Sequence, residues 1–186
     1  MSERPADAEA RSDAALVAAL NGGDASAFDA LYYRYRDWVV RLAQRFTGSP
    51  EDALDVLQET FSYLFRKFPG FMLTAKMTTF LYPVVRNLSI AARRKRTRLL
   101  DDDPALREPA AVKPESADPR SELATVLAAL PDGQREVLLM RFVDDMSLAE
   151  IALALAIPVG TVKSRLHNAI AALRSDPRAK RFFEQA

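Results

Sequence analysis

The stretch MSLAEIALALAIPVGTVKSRLHNAIAAL, residues 146–173, decides how the C-terminal part of this chain folds. Ser147, followed three residues later by Glu150, forms a capping box, which marks the start of a helix. Apolar residues then recur at helical spacing until the sequence AIP, residues 156–158, interrupts them. A second helix is predicted from about Val159 to Leu173. Two helices joined by so short a turn predict a helix-turn-helix, whose second helix enters the major groove of DNA.

The second helix of this motif has one apolar side and one polar side. At about 3.6 residues per turn, the apolar side is formed by Val162, Leu166, Ala169, Ile170 and Leu173. The polar side carries small hydrogen-bonding groups that can reach base edges, with cations that can reach phosphates. The candidate contacts to duplex DNA are Thr161, Lys163, Ser164, Arg165, His167 and Asn168. A solvated helix face is the alternative, and the position directly after a capping box and a tight turn favours DNA binding.

The composition excludes several classes of protein. The 186 residues carry a net charge of +1, with 49% hydrophobic and 27% charged residues, as in an ordinary soluble globular protein. The absence of cysteine and the single histidine exclude a disulfide scaffold and a Cys/His zinc site. No residue set supports catalysis, so we expect neither an enzyme nor a cofactor or metal. The lack of a signal peptide or a spanning apolar run predicts a cytoplasmic protein without membrane insertion.

Helical signals continue through the N-terminal part, and strand signals are almost absent. Ser49 as N-cap and Pro50 at the first helical position begin one helix, and another is predicted from about Phe80 to Arg96. Prolines at 104, 109, 114 and 119 predict a flexible linker. We therefore predict an all-α fold of two small helical domains, residues 1–100 and 121–186, joined by a Pro-rich linker over residues 101–120.

The stretch RNLSIAARRKRTR, residues 86–98, contains many cations and no acidic residue. Interaction with the helix dipole explains one or two cations near a helix end. The remainder would repel one another unless an anion lies near, and a phosphate backbone is such an anion. Phe71, Phe80 and Tyr82 precede the run, and aromatic rings beside cations are what a single-stranded nucleic-acid site needs. Core packing is the alternative role for each of these rings.

An acidic face is predicted on the helix that contains EDALDVLQETF, residues 51–61. Asp52, Asp55, Gln58 and Glu59 fall on that face at helical spacing. The face is either a solvated surface or a docking surface for a basic protein partner. The pattern alone leaves both interpretations open.

Three segments together resemble the extracytoplasmic-function sigma factors. They are SPEDALDVLQETFSYLF (49–65), TTFLYPVVRNLSIAARRKR (78–96) and the long stretch from LPDGQREV to NAIAAL (130–173). The resemblance implies a bacterial factor that binds core RNA polymerase, directs it to promoter DNA and opens the promoter. It also implies an inhibitory anti-sigma factor as a further partner.

The resemblance implies three sets of functional residues. Asp55, Gln58 and Glu59 would dock on the polymerase, and the helix-turn-helix would read the upstream promoter element. The melted element would be bound by Phe80, Tyr82, Arg86, Asn87, Arg93, Arg94, Lys95 and Arg96.

The chain departs from the family pattern at several positions. Phe80 stands where Trp is usual, Pro83 where Arg or Lys is common, and Ala91 near a common acid. Ala156 occupies a turn position that is often Gly.

Two other functions remain open from the sequence. A regulator with a LuxR-type C-terminal domain fits the helix-turn-helix, although residues 1–100 lack the strands and the phosphoacceptor pattern of a receiver domain. A sigma mimic that binds a regulatory protein without DNA is the other alternative. The basic run at 86–98 argues against a mimic, because a mimic needs no phosphate contacts.

Overall fold

A computed structural model of the chain describes residues 11–102 and 119–179, and in these ranges all regular structure is helical. The chain divides into two compact units, Met1–Arg107 and Glu108–Ala186. The first unit contains α1 (Asp13–Asn21), α2 (Ser26–Thr47), α3 (Pro50–Phe65) and α4 (Met77–Asp102). The second contains α5 (Pro119–Ala129), α6 (Asp132–Phe142), α7 (Leu148–Leu155) and α8 (Val159–Ser175). The prediction of an all-α fold with a helix-turn-helix is confirmed.

The predicted helix boundary between α2 and α3 is confirmed. α2 ends at Gly48, whose φ of 67° lies in the left-handed region that glycine adopts without strain. The side chain of Ser49 accepts a hydrogen bond from the Asp52 N–H at 3.2 Å, with Pro50 in the first turn. The two helices therefore meet at a short, well-defined turn, residues 47–52.

The core of the first unit lies between α2, α3 and α4, which pack against one another. Helical spacing places apolar side chains of each helix on its inner face, and their burial drives the association. The buried side chains include Leu31, Val39, Leu42, Val56, Phe61, Leu64, Leu81 and Val85.

α1 is attached to α2 by a polar network as well as by buried Leu16. A guanidinium nitrogen of Arg34 lies 2.6 Å from the Asp13 carboxylate, and the Tyr35 hydroxyl donates a hydrogen bond to the same carboxylate. Burial raises the pKa of the Tyr35 phenol, and the hydrogen bond to Asp13 raises it further. The phenol therefore stays neutral in the folded unit at pH values where an exposed tyrosine ionises.

α4 is longer than predicted at both ends. The prediction of about Phe80 to Arg96 was too short, because the helix runs from Met77 to Asp102. Thr97, Arg98 and two leucines continue the helix, and no proline or glycine stops it before residue 104. Pro83 consequently lies inside the helix rather than in its first turn, and its ring nitrogen has no hydrogen for the carbonyl four residues earlier.

The predicted linker over residues 101–120 was too wide, since α4 includes residues 101–102 and α5 begins at residue 119. Its remaining part, residues 103–118, lies outside the described residues.

The second unit packs α8 against α6 and the end of α5. Leu130, Leu138 and Ala169 form a buried cluster, against which lie the partly buried side chains of Leu127, Leu166, Ile170, Ala172 and Leu173. The predicted capping box of α7 is confirmed, because the Ser147 N–H donates to the Glu150 carboxylate at 2.7 Å and the Glu150 N–H donates to the Ser147 hydroxyl oxygen at 3.3 Å. α7 ends at Ala156, a left-handed residue with a φ of 53°.

Within the described ranges, no helix is long and apolar enough to cross a membrane. The same ranges contain no group of three or more His, Cys, Asp or Glu side chains that could hold a metal ion.

Candidate nucleic-acid interface

The polar side of α8 faces away from the core of the second unit. Val162 and Ala169 are fully buried, whereas Lys163, Ser164, His167 and Asn168 are exposed and Thr161 is half-buried. The Ser164 hydroxyl donates to the Gly160 carbonyl at 3.0 Å, so its oxygen remains available as an acceptor. The exposed set combines short polar groups with one cation, as a major-groove surface requires.

Arg165 is held differently from the other polar residues of α8. It is half-buried, and its guanidinium lies over the backbone of Gly133 in the first turn of α6. A Cβ atom at residue 133 would lie 3.1 Å from a guanidinium nitrogen, so any larger residue would displace the side chain. Sequence reasoning missed Gly133, because no local pattern indicates a contact between α6 and α8.

One stripe of α4 faces outward along the length of the helix. At about 3.6 residues per turn, Phe80, Asn87, Arg94 and Arg98 lie on the same side, opposite buried Val85 and Ser89. Asn87, Arg94 and Arg98 are exposed, as are Arg93 and Lys95 beside them, while Arg86 and Phe80 are half-buried. We call Phe80, Asn87, Arg94 and Arg98 the outer stripe of α4.

Aromatic rings surround Phe80 at the start of this stripe. Its ring lies 4.8 Å from that of Phe71 and 6.3 Å from that of Tyr63, and Phe71 in turn contacts Phe68 at 5.4 Å. The Lys67 ammonium lies 4.6 Å from the Tyr63 ring centre, a cation–π contact. We call Tyr63, Phe68, Phe71 and Phe80 the aromatic cluster. Sequence reasoning found Phe71 and Phe80 but missed the two rings from the end of α3 and the loop after it.

Two residues of the predicted single-strand site point inward instead. Tyr82 is 2% exposed and packs edge-on against Phe46 at 6.3 Å, so it belongs to the core. Arg96 reaches the α2–α3 turn, where it donates to the Thr47 carbonyl at 2.8 Å and lies 2.8 Å from an oxygen of Asp52. Neither side chain is oriented toward the outer stripe.

The acidic face of α3 is exposed at Asp55, Gln58 and Glu59, as predicted. The prediction was wrong for Asp52, which is half-buried because it pairs with Arg96. Leu54 and Phe65 are 55% and 57% exposed on the same helix, which sequence reasoning did not single out. A groove of about 360 Å³ runs between α3 and α4, with Asp55 and Glu59 on one wall and Lys95 on the other. The first unit therefore presents an acidic surface on α3 and a basic surface on α4, on opposite sides of one groove.

Comparison with known proteins identifies the family. A family model described as "Sigma-70 region 2" matches residues 31–99, and one described as "Sigma-70, region 4" matches residues 120–173. The chain is 34% identical over 171 residues to the ECF RNA polymerase sigma factor SigW of Bacillus subtilis, covering 84% of this chain and 91% of SigW. The chain belongs to the extracytoplasmic-function sigma factors.

Two further relatives agree with this assignment. The ECF RNA polymerase sigma-E factor of Escherichia coli K12 is 31% identical over 178 residues, covering 87% of this chain and 92% of that protein. A solved structure of CnrH in complex with the cytosolic domain of CnrY superposes with a TM-score of 0.65 at 25% identity, covering 88% of this chain and 95% of CnrH.

As a sigma factor, the protein binds RNA polymerase and directs promoter recognition. The alternative of a LuxR-type regulator is not favoured, because residues 31–99 of this sigma factor match region 2 and form helices rather than an α/β receiver domain. A sigma mimic is not favoured either, since both DNA-related regions of the family are present.

Proposed function

We propose that this sigma factor divides promoter binding between three surfaces. The acidic face of α3 docks on core RNA polymerase, the outer stripe of α4 with the aromatic cluster holds melted promoter DNA, and the polar side of α8 reads the upstream element as duplex. The observation that carries this proposal is the outer stripe, because it places Phe80 of the aromatic cluster and the exposed cations Arg94 and Arg98 on one side of one helix.

The aromatic cluster supports binding of unpaired bases. The half-buried Phe80 ring is braced by Phe71 and Tyr63, so the cluster offers unpaired bases a set of rings that are already ordered and lose little side-chain freedom on binding. Arg94 and Arg98 further along the stripe are suited to the phosphates of the same strand. Tyr82 contributes by packing and Arg96 through the contacts described above, so neither belongs to the proposed contact surface.

The helix-turn-helix supports recognition of duplex DNA. Ser164, His167 and Asn168 are exposed at the centre of α8 and are suited to base edges. Lys163 is suited to phosphate, and Arg165 extends from the flank toward α6. These side chains would set the sequence preference of the upstream element.

We also propose regulation by an anti-sigma factor. The support is the likeness to CnrH, whose solved structure contains the cytosolic domain of CnrY. The exposed apolar side chains Leu54 and Phe65 beside the acidic face of α3 would need to be covered in such a complex, as in the complex with polymerase.

Transcription by reconstituted holoenzyme tests the proposal. Purified protein is added to sigma-free core polymerase with a library of promoter fragments, and the transcripts are sequenced. We expect promoter-dependent transcripts that disappear when Asp55, Gln58 and Glu59 are replaced together by Ala. The matched control replaces Asp29, Gln44 and Glu51, which are exposed residues of the same types in the same unit and should leave transcription unchanged.

Two results would contradict the proposal. Absence of core binding and of transcripts from every template would refute the function as a whole. Normal transcription by the α3 variant would refute only the docking face. For the DNA surface, Phe80→Ala and Arg94→Ala should each reduce open-complex formation without reducing core binding, and loss of core binding would instead place these residues in the polymerase interface.

A further inference from the structure

The C-terminal half of α4 has little apolar contact with the body of the first unit. Among the described side chains of α4, which end at Leu99, Ser89 is the last buried one. Beyond it, positions 91, 93–95 and 97–99 are exposed, and only Ile90, Ala92 and Arg96 are half-buried. We call residues 91–102 the basic half of α4. Hydrophobic burial, which holds the rest of the helix, therefore contributes little over residues 91–99.

Arg96 makes the polar attachment of the basic half. It lies on the same side of the helix as buried Val85 and Ser89, opposite the outer stripe. One guanidinium nitrogen donates to the Thr47 carbonyl at 2.8 Å, and the other lies 2.8 Å from the Asp52 carboxylate. Asp52 and Thr47 precede Arg96 by 44 and 49 positions in the sequence, so the contact ties the end of α4 to a distant turn.

The α2–α3 turn leaves both partner groups available for Arg96. Thr47 is the last residue of α2, and carbonyls at a helix end have no partner within the helix. Its hydroxyl oxygen accepts the Ser49 N–H at 3.2 Å, the hydrogen bond that an acidic side chain would accept in a full capping box. The carboxylate of Asp52, in the first turn of α3, is thereby free to pair with Arg96.

We propose that Arg96 is a positioning residue that clamps the basic half of α4 to the α2–α3 turn and thereby aims the outer stripe at the melted DNA. Arg96 acts through Arg94 and Arg98 and does not itself contact phosphate. The inference rests on the proposed role of α4 in DNA binding, while the clamp itself is a property of the free protein and can be tested without polymerase.

The first measurement is amide hydrogen exchange of the free, full-length protein. Arg96→Ala should accelerate exchange in residues 93–102 on the order of three- to tenfold, as expected for loss of a charged hydrogen bond that is partly exposed. Arg94→Ala is the matched control, because it changes helix propensity equally but removes an outward-facing side chain. Equal exchange in the two variants would overturn the clamp.

The second measurement is the salt dependence of open-complex formation by holoenzyme on a promoter obtained from the transcription experiment. Arg96→Ala should weaken binding about three- to tenfold, with a fall in the slope of log K against log salt that is clearly smaller than the value for one phosphate contact. Arg94→Ala should lower that slope by about 0.7 to 0.9, the value for one phosphate contact. A fall of the slope in Arg96→Ala as large as that in Arg94→Ala would overturn the proposal, because it would make Arg96 a phosphate contact.

Asp52→Asn distinguishes a clamping role of Arg96 from a DNA-contacting role, because the two roles predict different changes in DNA binding. If Arg96 is a clamp, the variant should weaken DNA binding as Arg96→Ala does, and the double variant should be no weaker than either single one. If Arg96 contacts DNA, releasing it from Asp52 should leave binding unchanged or strengthen it, which would overturn the proposal. Glu51→Gln is the control, since it removes a neighbouring first-turn charge that lies outside the clamp.

Failure of the proposed function is distinguishable from failure of the clamp. If holoenzyme opens no promoter, hydrogen exchange still reports whether Arg96 holds the basic half of α4. If promoters open but exchange and salt slopes do not respond as expected, the function stands and the clamp is wrong.

Discussion

The two basic helices of this sigma factor are fixed by different physical means. α8 is held over residues 166–173 by apolar side chains that pack on Leu130 and Leu138. The basic half of α4 lies beyond the last buried side chain of its helix and is attached by Arg96 to the α2–α3 turn. The comparison teaches that the helix proposed to read duplex DNA is held by burial, whereas the helix proposed to hold a melted strand is positioned by charge. The first should be sensitive to core substitutions, the second to salt.

The largest effect is expected from a charge placed under α8. Ala169→Glu would put a carboxylate at a fully buried position against Leu130 and Leu138, at a cost of about 3–5 kcal/mol. In a denaturant titration followed by far-UV circular dichroism, we expect the second unit of this variant to unfold at a lower denaturant concentration than that of the wild type. Asn168→Glu, at the exposed neighbouring position, should change stability by less than about 0.5 kcal/mol. Equal stability of the two variants would show that α8 is not held by this cluster.

A smaller effect is expected at the turn that sets the angle between α7 and α8. Ala156 has a left-handed backbone, so Ala156→Gly should raise the free energy of unfolding by about 0.5–1 kcal/mol. Ala149→Gly, at an exposed position in the first turn of α7, should instead lower it, because glycine weakens a helix. Chemical denaturation of the full chain measures both changes, and the same sign for the two variants would rule out strain at residue 156.

Salt should affect the two basic helices differently. Raising NaCl from about 0.05 to 1 M shortens the screening length roughly from 14 to 3 Å and weakens an exposed ion pair. We expect amide exchange in residues 93–98 to accelerate about two- to threefold while exchange in residues 162–173 stays constant. Acceleration in both segments would mean that salt acts on general stability rather than on the Arg96 contact.

The smallest effect at neutral pH comes from Tyr35, which ties α1 to α2. Its pKa is raised in the folded state, so its contribution to stability is complete below pH 10, the ordinary tyrosine value, and is lost as the pH rises above 10. Tyr35→Phe should therefore flatten the alkaline loss of stability of the first unit, whereas Tyr33→Phe should not. Denaturant midpoints between pH 8 and 11 measure this difference, and parallel curves for wild type and Tyr35→Phe would contradict it.

Local signals in the sequence predicted most helix starts and the helix-turn-helix. Ser49, Pro50 and the pair Ser147 and Glu150 act within one helical turn, and the structure confirms each of them. The end of α4 was predicted less well, since cationic residues and leucines continue a helix as readily as they end one.

The candidate site was only partly predictable, because helical spacing indicates a face but not its neighbours. The exposure of Arg94 and Asn87 follows from the helical period alone. The inward role of Arg96 depends on Thr47 and Asp52, which are distant in the chain, and the contact of Arg165 depends on Gly133. Tyr82 resembles a base-stacking ring in sequence, and only the packing of Phe46 against it shows that it is buried.

α4 continues without a break through Pro83, so the distance and the rotation between Phe80 and Arg98 are set by the helix. Phe80 and Arg98 are five full turns apart, so the outer stripe returns to the same side after about 27 Å. Insertion of a single residue between Ser89 and Arg93 would rotate the cations by about 100° away from Phe80. The relative direction of the ring and the cations therefore depends on the number of residues between them as much as on the identity of those residues.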